Sequence, residues 1–549
     1  MEARHASRVW AEFKVGMTKL MLTGGISGFH TIAWHNIPLW SENKGKSRDN
    51  VEYLDFSAHL NHTSRHAFRR SWFTWPRRRV VSPRDPRLQS MKDILKKARK
   101  RVILKPQWLI AGAFAGTILL GTLLLATPWA SAAGQWTDAL TALFTATSAC
   151  CVTGLTVVDT GTHFSFFGQI VILALIQIGG IGIMTLGTFL LVLVGRRLSV
   201  QNEFVLINSF GIEEVRGLPS LLRRSLLFTL LFEGAGAAIL AWRYIGAGHD
   251  SEQAAYYGIF HAVSAYCNAG FSLHSDSLIS FQGDPVYLGT ICTLIVFGGL
   301  GFLVIYNLSS FKFWRRNRKT RGRVSLHTRL VLATTVLLLL VSTLLFLATD
   351  WNAAFAGMSP ETRLTSAIFS AVTPRTAGFN VVPMESFSVA GRFLHIPLMF
   401  IGGAPGSTAG GIKITALVIL ILTIAAMLRG RRETQLNDRT IPVAVVREAT
   451  VIFALSIFAV LFFFGLLLFT ETPAAGTDGS DRLFFETVSA FGTVGLSLDT
   501  TPTLSSAGRL ILILCMFIGR LGPLTAALVI GTQDVGQRIS YPEEEVVVG

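Results

Sequence analysis

The chain has 549 residues, of which 50% are hydrophobic and only 15% charged, a balance that excludes an ordinary soluble enzyme and points to a protein crossing a membrane many times. Its formal net charge of +16 would suit a nucleic-acid binder, but the basic residues are confined to a few segments between hydrophobic runs. That distribution marks membrane topology, with no role for nucleic acid.

The first 90 residues are rich in His, Trp and Arg and hold no long uncharged run. They lack the ordered basic start, compact apolar core and small-residue cleavage site of a signal peptide. Residues 1–90 are therefore expected to be a cytoplasmic or unmatched extension, unless translation starts at Met91, where "MKDILKKARKR" would make a short basic amphipathic lead-in. Both alternatives stay open on the sequence.

Beyond Met91, uncharged runs long enough to cross a bilayer recur at Pro106 to Thr137, Thr160 to Gly195, Pro285 to Phe311, Leu330 to Ala348 and Ala449 to Thr470. Basic segments such as Lys92 to Arg101 and Phe311 to Val324 alternate with turns carrying Asp138, Asp159, Asp250, Glu252, Asp276, Asp284, Asp350, Glu471, Asp478 and Asp499. The basic side is predicted to be cytoplasmic, where it also meets anionic lipid. Five cysteines lie in apolar surroundings with no CxxC spacing, so neither a disulfide framework nor a metal site follows.

Taken in order, the chain writes one motif four times: "ALFTATSACCVTGLTVVD" (Ala142 to Asp159), "GIFHAVSAYCNAGFSLHSD" (Gly258 to Asp276), "AIFSAVTPRTAGFN" (Ala367 to Asn380) and "LFFETVSAFGTVGLSLD" (Leu483 to Asp499). A second motif follows each one: "QIGGIGIM", "VFGGLGFL", "FIGGAPGSTAGGIK" and "FIGRLGPL". The first glycine of the second motif trails the glycine of the first (Gly154, Gly270, Gly378, Gly495) by 25, 28, 24 and 24 residues. Two motifs in fixed order at near-constant spacing define an internal repeat.

The predicted fold is all-α and polytopic: four covalently linked units, each an outer span, a re-entrant half-helix and a second span broken by glycines. Eight full crossings and four re-entrant helices then surround one pore, with both termini cytoplasmic. First spans are placed near Trp108 to Ala126, Leu226 to Trp242, Leu330 to Ala348 and Val451 to Thr470, second spans near Phe167 to Val194, Val286 to Leu308, Phe393 to Leu428 and Leu510 to Ile530. The units occupy residues 91–200, 201–312, 313–430 and 431–549, the last with a C-terminal tail.

A half-helix at membrane depth leaves backbone groups unpaired, which is tolerable only around a protein-enclosed wet cavity. Its carboxyl end favours a cation. A glycine just beyond it lets consecutive carbonyls turn toward the axis, as in rings that replace the hydration shell of an alkali ion. The four candidate tetrads are Val152-Thr153-Gly154-Leu155, Asn268-Ala269-Gly270-Phe271, Thr376-Ala377-Gly378-Phe379 and Thr493-Val494-Gly495-Leu496, none with a carboxylate.

With "FIGGAPGSTAGGIK", "FIGRLGPL" and the terminal "SYPEEEVVVG", these tetrads resemble the Trk/Ktr/HKT superfamily of cation transporters, most closely the membrane subunit of bacterial Ktr potassium-uptake systems. The resemblance covers about Met91 to Gly549 and leaves the first 90 residues unmatched. It implies a monomeric four-unit pore for K⁺, possible Na⁺ coupling or permeation, a homodimer of the membrane subunit, and gating by a cytosolic ring of nucleotide-binding RCK-type subunits. The filter residues of the family carry over onto the four tetrads. This chain has no GxGxxG after a strand and no Walker loop, so it holds no cofactor of its own and nucleotide would sit on the partner.

Unit three departs from the others, with Gly402, Gly403, Gly406, Ser407, Thr408, Gly410 and Gly411 where helix is expected. Such a composition breaks a helix, giving a mid-membrane loop beneath the tetrads. The matching segment of the superfamily is an intramembrane gate. Arg520 stands where Gly180, Gly299 and Gly403 stand in the other units, and is expected to face the pore and bind carbonyls of that loop, the alternative being snorkelling or a purely structural tie between spans. Lys413 either helps close the loop or anchors the cytoplasmic half of its span. Glu233 is expected to make a structural pair, with ion binding the alternative, and the pair Cys150 and Cys151 to pack at a half-helix end.

A sodium-conducting relative is the alternative within transport, since each unit has a single filter glycine; Gly154 favours potassium, because sodium-selective relatives often carry serine there. An intramembrane enzyme, a voltage sensor and an ATP-driven pump are disfavoured. No convergent catalytic set, no span with a basic residue at every third position and no soluble catalytic domain is present.

Overall fold

The computed structural model describes residues 106–182, 218–310, 324–431, 433–436, 439–475 and 479–522. The N-terminal extension, the alternative start at Met91, the basic segments Lys92 to Arg101 and residues 311–323, the C-terminal tail and the far ends of two second spans lie outside these residues.

The described chain is helical, apart from a two-stranded antiparallel hairpin, β1 (Gln435–Leu436) with β2 (Arg439–Thr440). In chain order the helices of nine residues or more are α1 (Pro106–Leu125), α2 (Ala139–Cys151), α3 (Phe166–Ile181), α4 (Leu218–Gly246), α5 (Ser251–Tyr266), α6 (Pro285–Leu300), α7 (Phe302–Ser310), α8 (Leu326–Asp350), α9 (Pro360–Val372), α10 (Val389–Phe400), α11 (Ile414–Leu428), α12 (Val443–Ala475), α13 (Gly479–Gly492) and α14 (Ser506–Leu521). Half of these begin at a side-chain cap: Asp138, Ser165, Asp284, Ser325, Ser359, Ser388 and Ser505 each accept a hydrogen bond from a first-turn N–H. Pro285 and Pro360 occupy first helical positions, where their missing N–H costs nothing.

Among the described residues three helices are long and apolar enough to span a bilayer (Arg223–Gly246, Leu326–Asp350, Val443–Glu471), and a fourth span results if α6 and α7, bent by 94° about Gly301, count as one. Helices α4 and α12 run 29 and 33 residues, past the apolar cores expected for them. Arg447 and Glu448 extend α12 because good helix formers carry a helix on beyond the hydrocarbon. These helices turn leucine and phenylalanine outward: Leu230, Leu231, Leu340, Leu344, Phe458, Leu461 and Phe469 are all exposed, as on a lipid-facing surface.

The short helices α2, α5, α9 and α13 lie inward, each buried against the long helix before it. The helix that follows packs on the next short helix: α3 on α5, α6 on α9, α10 on α13 and α14 on α2. The last contact closes the circle. Glycine also seats a second helix tightly on the short helix of its own segment, since a Cβ on Gly179, Gly298 or Gly519 would meet the carbonyl of Cys150, Tyr266 or Phe491.

Ties between long helices and the caps of the second helices lock one end of the bundle. The buried Asp350 accepts from Ser388 N at 2.7 Å, and Glu471 accepts from Ser505 Oγ at 2.5 Å. Arg243 pairs with Asp284 at 2.7 Å, and Ser165 donates to Trp129 O at 2.5 Å.

Candidate functional site

At the end of each short helix the chain reverses through a residue with positive φ: Val152 (59°), Asn268 (60°), Thr376 (66°) and Thr493 (51°). For β-branched Val152, Thr376 and Thr493 this left-handed geometry is strained, and such strain persists only where the surroundings impose it. Three of the turns share a helix-end closure in which Thr153 N, Ala269 N and Val494 N donate to Ser148 O, Ser264 O and Ser489 O at 2.7–2.9 Å.

Two residues after each reversal comes the motif glycine, again with positive φ: Gly154 (89°), Gly270 (71°), Gly378 (77°) and Gly495 (92°). The four meet. A Cβ on Gly154 would strike Ala269 O, one on Gly270 would strike Ala377 O, one on Gly378 Val494 O, and one on Gly495 Thr153 O. The neighbouring glycine Cα would then lie at 3.0–3.1 Å in every case. The glycines thus form a closed ring in chain order, with the carbonyl before each set against its neighbour.

Every other side chain of the tetrads is buried, Val152, Thr153, Leu155, Asn268, Ala269, Phe271, Thr376, Ala377, Phe379, Thr493, Val494 and Leu496 alike. Hydroxyls of the short helices pin the turns from behind. Ser148 and Ser489 accept from Gly154 N and Gly495 N at 3.1 Å, while Ser264 and Thr373 donate to Phe271 O and Phe379 O at 2.8 and 2.5 Å. Asn268 Nδ2 reaches Arg375 O at 3.1 Å, joining adjacent turns. Spacing alone does not announce these clamps, though the Ser or Thr five or six residues before each glycine is visible once the ring is known.

One side of the ring is covered by residues 401–413, where helix stops between α10 and α11. Ala404 N donates to Gly299 O at 3.0 Å, Thr408 N to Gly298 O at 3.3 Å, and Thr408 Oγ1 to Tyr266 O at 3.2 Å. A Cβ on Gly410 would collide with Thr493 Oγ1 of the fourth tetrad, one on Gly402 with Gly410 O, and one on Gly403 would come close to Gly299 O and Ser407 Oγ, so the loop is folded closely on itself, on α6 and on the fourth tetrad. Gly406 (φ 71°) and Gly411 (φ 62°) supply its left-handed turns.

Arg520, on α14, donates to Thr408 O and Gly179 O and so straps this loop to α3. Lys413 Nζ donates to Ala409 O at 2.7 Å, placing its ammonium on the loop itself. Glu233 has neutral partners, the Gln177 amide at 3.3 Å and the Cys267 thiol at 3.7 Å. In segment three Arg375 is 5% exposed, and its guanidinium nitrogens have no hydrogen-bond partner among the described residues.

On the other side of the ring the loops beyond the tetrads pack together, with Gly161 close against Leu273 O. Burial tends to raise the Asp159 pKa, but hydrogen bonds from Ser275, Thr162 and Gly161 outweigh it and hold the carboxyl below its ordinary value.

The described residues define a helical membrane protein whose inner helices bring four backbone turns to one ring. The TrkH family model, described as "Cation transport protein", matches residues 110–534, and the chain belongs to that family of cation transport proteins. It is similar to the potassium/sodium uptake protein NtpJ of Enterococcus hirae (38% identity, covering 83% of this chain and 99% of the relative) and to the Ktr system potassium uptake protein B of Bacillus subtilis (36%, 82% and 99%). Among solved structures, the potassium transporter TrkH of Vibrio parahaemolyticus shares the fold, with a TM-score of 0.60 at 20% identity over 78% of this chain and 86% of that one.

Proposed function

We propose that the chain is the membrane subunit of a potassium-uptake system, passing K⁺ inward through the glycine ring. The observation that carries this reading is the closed circuit Gly154, Gly270, Gly378, Gly495, each with positive φ and each set against the carbonyl before the next. Carbonyls so fixed can replace the hydration shell of a monovalent cation without a carboxylate. A negative-inside potential supplies about 2.3 kcal/mol per charge per 100 mV. The names of the relatives, potassium uptake protein and potassium/sodium uptake protein, support the substrate class.

In this reading the four tetrads are the filter, and the chain crosses the membrane eight times with four re-entrant helices and both termini cytoplasmic. Two copies form a dimer. The loop holding Gly402, Gly403, Gly406, Ser407, Thr408, Gly410 and Gly411, with Lys413 and Arg520, is the gate, opened by a separate cytosolic ring of RCK-type subunits that bind nucleotide. The similarity to proteins named as components of a Ktr system supports that division of labour.

Sodium permeation is the second reading, favoured by the single ring glycine per segment and by the potassium/sodium name of NtpJ. Expression in a bacterium lacking K⁺ uptake, with and without a gating subunit, tests both. Wild type should restore growth at low K⁺ and Gly154→Ser should shift flux toward Na⁺. Absent rescue with a gating subunit present, or equal K⁺ and Na⁺ flux in wild type, would sink the potassium reading.

A further inference from the structure

Nine positions before the ring glycine, segments two and four carry a polar side chain inside the short helix, His261 before Gly270 and Glu486 before Gly495. Both are 0% exposed. Two positions after the glycine the same segments carry Ser272 and Ser497. Glu486 Oε1 accepts from Ser497 Oγ at 2.5 Å and from Thr501 Oγ1 at 2.7 Å. His261 Nε2 lies 3.1 Å from Ser272 Oγ and 3.4 Å from Leu273 N, and the one hydroxyl proton of Ser272 is shared between Nε2 and Ser277 O, 3.0 Å away. The other ring nitrogen, Nδ1, faces Tyr257 O at 2.8 Å and must donate to it, which leaves Nε2 of the neutral ring as an acceptor. An acid and an imidazole therefore do the same geometric task.

Segments one and three do not repeat it. They have Thr145 and Phe369 at the helix position; the Thr145 hydroxyl finds no partner among the described residues, and Asn380 N donates across to Ser277 Oγ at 3.2 Å. Because the ring runs in chain order, segments two and four face each other across it. We propose that Glu486 and His261 are positioning residues, two diagonally opposed bolts that hold Ser497 and Ser272 and so fix the carbonyls of the adjoining tetrads at the spacing that distinguishes K⁺ from Na⁺. The proposal rests on reading the ring as the ion path.

The role requires only a hydrogen-bond acceptor at Oε1, which glutamine supplies. Purified protein in lipid vesicles, with its gating subunit where flux needs it, is assayed for K⁺ and Na⁺ flux. Glu486→Ala and Ser497→Ala should each lower the K⁺/Na⁺ flux ratio by about fivefold, the double variant should fall no further, and Glu486→Gln should recover most of the ratio. His261→Leu and Ser272→Ala form the matching pair. Should Glu486→Ala fail to fold, Ser497→Ala breaks the same bond by losing one oxygen. A wild-type ratio in Ser497→Ala, or additive losses in the double variant, overturns the proposal alone. No cation flux in the wild type overturns the ring reading and this one with it.

Discussion

Arg520 donates to the carbonyl of Thr408, 112 positions away in the chain, while its other amino group reaches Gly179. One guanidinium thus holds the loop under the glycine ring to a helix of a different segment. A hydrogen bond to a charged group contributes about 1.5–3 kcal/mol, enough to shift a two-state loop by roughly 10- to 100-fold. Arg520→Gln should therefore raise K⁺ flux without a gating subunit, measured in vesicles. Unchanged flux in a folded variant would overturn the proposed gating role of Arg520.

The ring predicts sharp intolerance at its glycines. On Gly378 a Cβ would strike Val494 O, and its φ of 77° costs a side-chain-bearing residue about 1–2 kcal/mol even in open space. Gly378→Ala should keep membrane insertion but lose K⁺-dependent growth. Gly465→Ala, where a Cβ meets nothing within 4 Å, should grow as wild type. Equal growth of both would mean that the ring tolerates displacement no ion-coordinating ring could.

The tetrads were legible in the sequence because their requirement is local: a turn with positive φ selects glycine, and repetition at near-fixed spacing exposes it. The loop of residues 401–413 was legible for a similar reason, since five glycines and a proline cannot sustain a helix. What holds these pieces was not. Ser148 and Ser489 read as ordinary helix residues, and the partners of Glu233 on α3 and at the end of α5 lie 56 and 34 positions away. The acceptor role shared by Glu486 and His261 hides behind unlike residue types. Long-range contacts of single polar atoms leave no periodicity.

Asp350 illustrates such a contact and predicts a stability effect. Fully buried, it accepts from Ser388 N and from Thr349 Oγ1 at 2.6 Å, tying α8 to the start of α10. Asp350→Ala strands the Ser388 N–H and should cost about 1–3 kcal/mol, seen as a lower Tm in detergent. The K⁺/Na⁺ flux ratio of surviving protein should not move, because the tie lies at the helix ends and not at the ring. A changed ratio at unchanged Tm would reverse that assignment.

Acid should loosen the loop beyond Phe271, outside the membrane-spanning helices. His274 there is half-buried; its Nε2 is 2.8 Å from Tyr244 Oη, and its ring stacks on His261 at 5.0 Å and meets Tyr257 and Phe281 edge-on or tilted. Burial lowers its pKa below the ordinary histidine value of 6.5; Asp276 opposes that and His249 reinforces it. The folded protein thus binds this proton less readily than the unfolded chain, so the neutral ring's contribution is complete above pH 6.5 and declines as pH falls through the lowered folded value. Thermal unfolding in detergent should show Tm falling below pH 6.5, and His274→Gln should flatten part of that slope while lowering Tm at pH 8. An identical slope in the variant would place the acid sensitivity elsewhere.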